Sequence, residues 1–342
     1  MRSLALVVIA RNEAPRIRRL LDSVRPFVDH MLVLDTGSTD DTVSVAQAAG
    51  ARVASFAWCD DFAAARNHAL DLAGADWHLV LDADEWLEQG GEALSALRDL
   101  APDFVGTVHL LDHFDGGTAQ QTLSRVLPGS VRYAGRVHEQ PQHLLPLRPL
   151  ALRIGHDGYL AERLAAKRGR NRVLLETMLA EGQGGDAYLH YQLGKDHAVY
   201  DEHAGAEAAF AQAVAAVGPT TPSWWFDLVA RRLYALKRLG RHAEAVHFAE
   251  EQMAACAESP DFFFALGDLL LDFAAEAPER AAGLLPMAEA AWRQCLDLGE
   301  HPEQVGAVAG RGSRLAAHNL VILLTGTGRA AEATALQESY GL

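Results

Sequence analysis

From Leu4 to Asp82 the hydrophobic period of the chain switches repeatedly between two values, and this alternation restricts the fold more than any other feature. The run Leu4-Ala5-Leu6-Val7-Val8-Ile9-Ala10 is almost continuously apolar and partly β-branched, the pattern of a strand covered on both faces. Ile17, Leu20, Leu21 and Val24 then fall at i, i+3, i+4 and i+7, the stripe of an amphipathic helix. Met31 to Leu34 reads as the next strand. Ser38-Thr39-Asp40-Asp41 predicts an N-cap hydroxyl with a carboxylate three residues on, opening a helix with Val43, Ala46 and Ala49. Ala51 to Ser55 predicts a third strand, Phe62 to Ala73 a third helix, and Trp77 to Leu81 a fourth strand ending on Asp82. Strands alternating with helices in this way predict an α/β fold with a parallel sheet and right-handed crossovers.

The texture changes twice more. Between Phe104 and Ile154, apolar stretches broken by Gly116-Gly117, Pro128-Gly129, Pro141, Pro146 and Pro149 predict short strands and long loops. After Tyr159 the chain is alanine-rich and helical, which places a domain boundary between residues 160 and 185, drawn as 1–165 and 166–342. In the helical half, Leu193-Gly194, Ala206, Phe210 and Ala213 fit the interlocking small and aromatic positions of a tetratricopeptide repeat. Weaker echoes are Gly240 with Ala245, Leu266-Gly267 with Ala288, Trp292 and Cys295, and Gly328 with Ala333. An irregular bundle of helical hairpins is the alternative.

Composition removes several function classes. A formal net charge of -15 argues against a protein that grips nucleic acid, which needs clustered Lys and Arg. No apolar stretch approaches the roughly 20 residues of a membrane helix, so an integral membrane protein is not expected. The N-terminus runs straight into a strand-like segment without an export signal, giving a cytoplasmic expectation. Cys59, Cys256 and Cys295 are widely spaced, lack zinc-site spacing and read as reduced thiols.

In an open parallel sheet, ligands bind beyond the C-terminal strand ends. Those positions are polar: Arg11-Asn12-Glu13, Asp35-Thr36-Gly37-Ser38 and Asp82-Ala83-Asp84-Glu85. Two carboxylates on one turn, as in the DxD motif Asp82-Ala83-Asp84, repel unless a cation lies between them, and hard oxygen ligands suit Mg²⁺ or Mn²⁺. Strand one lacks the GxGxxG turn of dinucleotide folds, and there is no phosphate-binding Walker lysine. Neutralising a diphosphate therefore falls to the metal and to cations such as Arg66.

Ala10-Arg11-Asn12-Glu13, Leu34-Asp35-Thr36-Gly37-Ser38-Thr39-Asp40, Phe62-Ala63-Ala64-Ala65-Arg66-Asn67 and Leu81-Asp82-Ala83-Asp84-Glu85 resemble, in order and spacing, bacterial glycosyltransferase family 2 of the GT-A fold. Gly135-Arg136-Val137-His138-Glu139-Gln140 and His156-Asp157-Gly158-Tyr159, followed by a tetratricopeptide-like tail, are similar to its subgroup containing peptide S-glycosyltransferases of the glycocin type. The resemblance implies a GT-A domain followed by an all-α tetratricopeptide-like domain. It implies donor contacts, commonly to a UDP-sugar, from Ala10, Arg11, Asn12, Glu13, Asp35, Arg66 and Asp82. Asp84, Asp82 and His156 would be the metal ligands, Glu139 the catalytic base, and His138 a structural or acceptor-orienting residue. Many members carry a second Asp where this chain has Thr36.

The function expected is metal-dependent, inverting transfer of a sugar from a nucleotide-diphosphate donor to a peptide, protein, lipid-linked or saccharide acceptor. The other class is a catalytically degenerate GT-A scaffold whose helical repeats bind a protein partner. Nucleotidyl transfer is disfavoured because Ala10 to Pro15 holds no glycine. Tetratricopeptide-like arrays pair through exposed apolar faces, so a homodimer is a further expectation.

Overall fold

The computed structural model describes residues 1–114, 117–157, 169–183 and 185–342. Two units are distinguished, Met1–Leu174 and Leu175–Leu342. The expected boundary at 165/166 lies outside the described residues, as do Gly116, Gly158 and Tyr159.

In the first unit the strands are β1 (Leu4–Ala10), β2 (His30–Asp35), β3 (Arg52–Ser55), β4 (Trp77–Asp82), β5 (Glu85–Gln89), β6 (Val105–Phe114), β7 (Gly117–Pro128), β8 (Arg132–Ala134), β9 (Gln140–Gln142) and β10 (Leu147–His156). The helices of this half are α1 (Ala14–Val24), α2 (Thr42–Ala48), α3 (Phe62–Ala73) and α4 (Gly91–Ala96). The main sheet runs β3-β2-β1-β4-β7-β6-β10-β5, while β8 and β9 form a separate two-stranded sheet.

Strand β1 shows why its sequence is apolar throughout. Leu4, Leu6, Val8 and Ala10 join one core with Ile17, Leu20, Leu21 and Val24 of α1. Ala5 and Val7 join a second core with Ala63, Ala65, Ala69, Leu70 and Ala73 of α3. Side chains of a strand alternate between faces, so two covered faces require apolar residues at every position. The alanines of α3 let that helix lie close to the sheet. Its start is fixed by Asp61, whose carboxylate accepts from the Ala64 N–H at 2.8 Å.

Three expectations are corrected. The sheet is mixed rather than parallel: β1, β2, β3 and β4 are parallel, but β7 runs antiparallel to β4 and β6, and β5 antiparallel to β10. The segment from Phe104 to Ile154 holds the long strands β6, β7 and β10 instead of short ones. Its prolines are accommodated because Pro128 ends β7 and Pro149 adjoins a register shift between β10 and β6. Finally, Ser38 does not cap α2, which begins at Thr42 after Asp41. Its hydroxyl is taken by the Asn12 N–H at 2.9 Å.

The second unit is helical throughout its described residues, except for connecting segments. Paired helices Ala187–Val199 with His203–Ala216, and Pro260–Glu276 with Ala281–Leu298, show the expected interlock of small against large. A Cβ on Gly194 would lie 2.3 Å from the Phe210 ring, and one on Gly267 would lie 2.5 Å from the Trp292 ring. Phe210 and Trp292 are fully buried in the same core as Ala206, Ala213, Ala288 and Cys295. No described helix is long and apolar enough to cross a membrane. The three cysteines are free, with Cys59 exposed and Cys256 and Cys295 buried.

Candidate active site

The polar strand ends come together because β2, β1 and β4 are parallel neighbours: Ala10 pairs with Asp35, and Ile9 with Asp82. A cavity of about 400 Å³ opens there, lined by Ala10, Arg11, Glu13, Thr36, Arg66, Asp82, Asp84, Arg125, Tyr133, His138, Glu139 and His156. Of the residues expected from the sequence, Asn12 and Asp35 shape the rim rather than line this cavity. The Asp35 carboxylate accepts from the Gly37 and Ser38 N–H groups, each at 3.2 Å. Asn12, at φ 58°, accepts from the Thr39 N–H at 2.8 Å, a left-handed conformation that asparagine tolerates better than most residues. These bonds stitch the loop after β1 to the loop after β2.

Asp82 sits at the end of β4 and Asp84 in the bend leading into β5. Arg66 donates to Asp82 Oδ1 through Nη2 at 2.6 Å and to Glu139 through Nε. Arg125 of β7 donates to Asp82 Oδ2 at 2.9 Å and also to Glu85. Both oxygens of Asp82 are thus taken by guanidinium groups. Burial opposes ionisation of Asp82, but Arg66 and Arg125 outweigh it and hold this carboxyl well below the usual range. Glu85 behaves oppositely: burial, with the Asp82 charge adding to it, exceeds the pull of Arg125 and pushes it up to about 7. Burial also raises the Tyr133 hydroxyl.

A second cluster forms where β10 lies between β5 and β6. His156 pairs in register with Glu85 on one side and Asp112 on the other. Its Nδ1 lies 2.6 Å from Asp112 Oδ1 and its Nε2 3.6 Å from Asp84 Oδ2. Burial disfavours the imidazolium, yet Asp112, Asp84 and Glu85 together push His156 up to about 10. The surrounding carboxylates therefore favour positive charge at this point.

This donor set fits a divalent cation. Two ligands each about 2.1 Å from one ion lie roughly 3 to 3.6 Å apart, depending on their angle, which is the range spanned by Asp84 Oδ2 and His156 Nε2. Asp112 on the opposite ring nitrogen is the supporting carboxylate that metal-bound histidines commonly have. Among the described residues no group of three or more His, Cys, Asp or Glu side chains is arranged to hold an ion unaided, so further ligands would have to come from water or substrate oxygens. Asp82 would have to give up one of its two arginine bonds to reach an ion.

Sequence reasoning did not single out Arg125, Tyr133 or Asp112. A charge directly before the apolar pair Val126-Leu127 of β7, and another directly after Leu110-Leu111 of β6, are the signals that mark the first and last. Tyr133 gives no such signal.

Residues 5–135 match the family model described as glycosyl transferase family 2. A TPR repeat-containing protein of Synechococcus elongatus is 37% identical over 214 residues, covering 57% of this chain and 52% of that protein. The SPbeta prophage-derived glycosyltransferase SunS of Bacillus subtilis is 31% identical over 185 residues, covering 50% of this chain and 44% of SunS. The chain thus spans about half the length of these curated relatives. Among solved structures, glucosyl-3-phosphoglycerate synthase of Mycobacterium tuberculosis, in complex with Mn²⁺, UDP and glucosyl-3-phosphoglycerate, is 28% identical. That overlap covers 34% of this chain and 45% of the synthase with a TM-score of 0.27, too low to equate the two folds.

Proposed function

We propose, from the glycosyltransferase family 2 domain that this chain carries in its first unit, that it transfers a sugar from a nucleotide-diphosphate donor, with inversion, to an acceptor nucleophile. The observation that carries this reading is the meeting of two charge clusters in one cavity: Arg66, Asp82, Arg125 and Glu139 on one side, Asp84 and His156, the latter backed by the buried Asp112, on the other. Ala10, Arg11 and Glu13 take the nucleotide at the ends of β1, with Asn12 and Asp35 holding the rim in shape. Asp82 orients Arg66 and Arg125 beside the donor. Asp84 and His156 would hold Mn²⁺ or Mg²⁺, which when bound would stabilise charge growing on the leaving diphosphate. Glu139 is the base: its carboxylate takes the acceptor's proton as the nucleophile attacks the anomeric carbon from the face opposite the diphosphate. Arg66 fixes the direction of that carboxylate. The preferred donor is a UDP-sugar, and the acceptor is a peptide, protein, lipid-linked group or saccharide.

The test incubates the protein with a panel of nucleotide sugars and Mn²⁺, with and without chelator, and measures released nucleotide. Mass spectrometry of candidate acceptors then reads the sugar and its attachment point together. Absence of both turnover and nucleotide binding across the panel would replace this reading with a scaffold role for the first unit.

A further inference from the structure

We propose that Asn67 is a positioning residue which sets the β8–β9 hairpin, and with it Glu139, against α3; this rests on the base role proposed for Glu139. The hairpin pairs Arg132 with Gln142, Tyr133 with Pro141 and Ala134 with Gln140, and among the described residues it belongs to no larger sheet. A two-stranded hairpin is marginal alone, so its place must be set by something outside it. Helix α3 supplies three connections in its first one and a half turns, besides an Asp71–Arg132 ion pair farther along. The Phe62 N–H donates to the Arg136 carbonyl at 2.8 Å, Arg66 bonds Glu139, and Asn67 bonds Tyr133 twice.

The Asn67 contact has a form that the other two lack. Its Nδ2 donates to the Tyr133 carbonyl at 2.9 Å, and its Oδ1 accepts from the Tyr133 N–H at 2.8 Å. A carboxamide carries the donor and acceptor of a peptide unit, so Asn67 stands where a neighbouring strand would pair with the edge of β8. No other side chain of this length carries a donor and an acceptor on two separate atoms at neutral pH. The adjacent residue on the helix, Arg66, reaches Asp82 and Glu139, so one dipeptide ties the end of β4 to the hairpin that carries the base.

The experiment uses the full chain and compares wild type, N67A, N67S, E139Q and the N67A/E139Q double variant. Two quantities are read: donor turnover with Mn²⁺, and amide hydrogen exchange across residues 132–142. If Asn67 acts through Glu139, N67A lowers kcat about tenfold or more in the wild-type background and less than about twofold in the E139Q background. Exchange across 132–142 rises in N67A and rises less in N67S, whose hydroxyl replaces one of the two bonds, while peptides from β1 and β2 keep their protection. Equal losses of kcat in the two backgrounds would mean general structural damage and overturn the proposal, as would unchanged exchange across the hairpin. Should the wild type turn over no donor, the transferase reading fails by itself, and the exchange measurement still decides whether Asn67 holds the hairpin.

Discussion

Arg66 and Glu139 lie 73 positions apart in the chain and are joined directly, Nε of the guanidinium to Oε1 of the carboxylate, while Nη2 of the same arginine holds Asp82 at 2.6 Å. A single buried cation thereby connects the strand end expected to face the donor with the carboxylate expected to serve the acceptor. A planar fork of several N–H donors makes both bonds in fixed directions, which a rotating ammonium does not.

Arg66→Lys is therefore expected to be far from conservative. An ammonium keeps the charge but cannot hold two carboxylates in fixed directions, so kcat/KM should fall on the order of a hundredfold, with both donor binding and turnover affected. Steady-state kinetics with the best donor of the panel checks this. Activity within a factor of three of wild type would show that the bridge is ornamental.

Asp84→Asn tests the cation. The substitution keeps the shape and removes the charge, so metal-stimulated nucleotide release should drop by at least about a hundredfold while the circular dichroism spectrum stays unchanged. His156→Ala should reduce apparent Mn²⁺ affinity by about ten- to a hundredfold. A variant pair with undiminished Mn²⁺ dependence would move the ion to other residues.

Glu139→Gln separates chemistry from binding. The expected result is a fall in kcat of about a hundredfold or more with the donor dissociation constant changed only a few-fold. Calorimetric titration of donor beside single-turnover kinetics makes the distinction, and a defect confined to binding would demote Glu139 from base to contact.

His78 predicts a pH-dependent stability unconnected with catalysis. It is almost wholly buried in β4, its Nε2 accepts from the Ala75 N–H at 3.3 Å, and burial, helped by the Arg132 charge, pushes it down to about 4. The unfolded chain takes up this proton below about pH 6.5 and the folded chain only near 4, so stability present above 6.5 is lost as pH falls between those values. The loss should approach roughly 3 kcal/mol. Urea unfolding of wild type and His78→Phe at pH 7 and pH 4.5 should show the slope in the first and its reduction in the second.

Gly194→Val tests the helical unit. Its Cβ would meet the buried Phe210 ring at 2.3 Å, so the ring or the helix must shift. A stability loss of about 1 to 3 kcal/mol is expected from overpacking, read as a lowered thermal midpoint. Gly218→Val, where an added Cβ meets nothing within 4 Å, serves as the control.

What the sequence determined by itself was local and periodic. Doubly buried β1, the α3 limits at Phe62 and Ala73, and the Gly194–Phe210 interlock all follow from apolar spacing that a segment carries within itself. The polar strand ends were legible for the same reason, since a charge terminating an apolar strand needs no distant partner to be noticed. What only the tertiary structure decided was strand direction and charge pairing. The antiparallel β7 brings Arg125 to Asp82, β10 sets His156 between Asp84 and Asp112, and the hairpin after β7 delivers Glu139 to Arg66. Hydrophobic period records which face of a segment is buried but not its direction or its neighbours, and a buried ion pair is specified by the two residues only once the folded chain has brought them together.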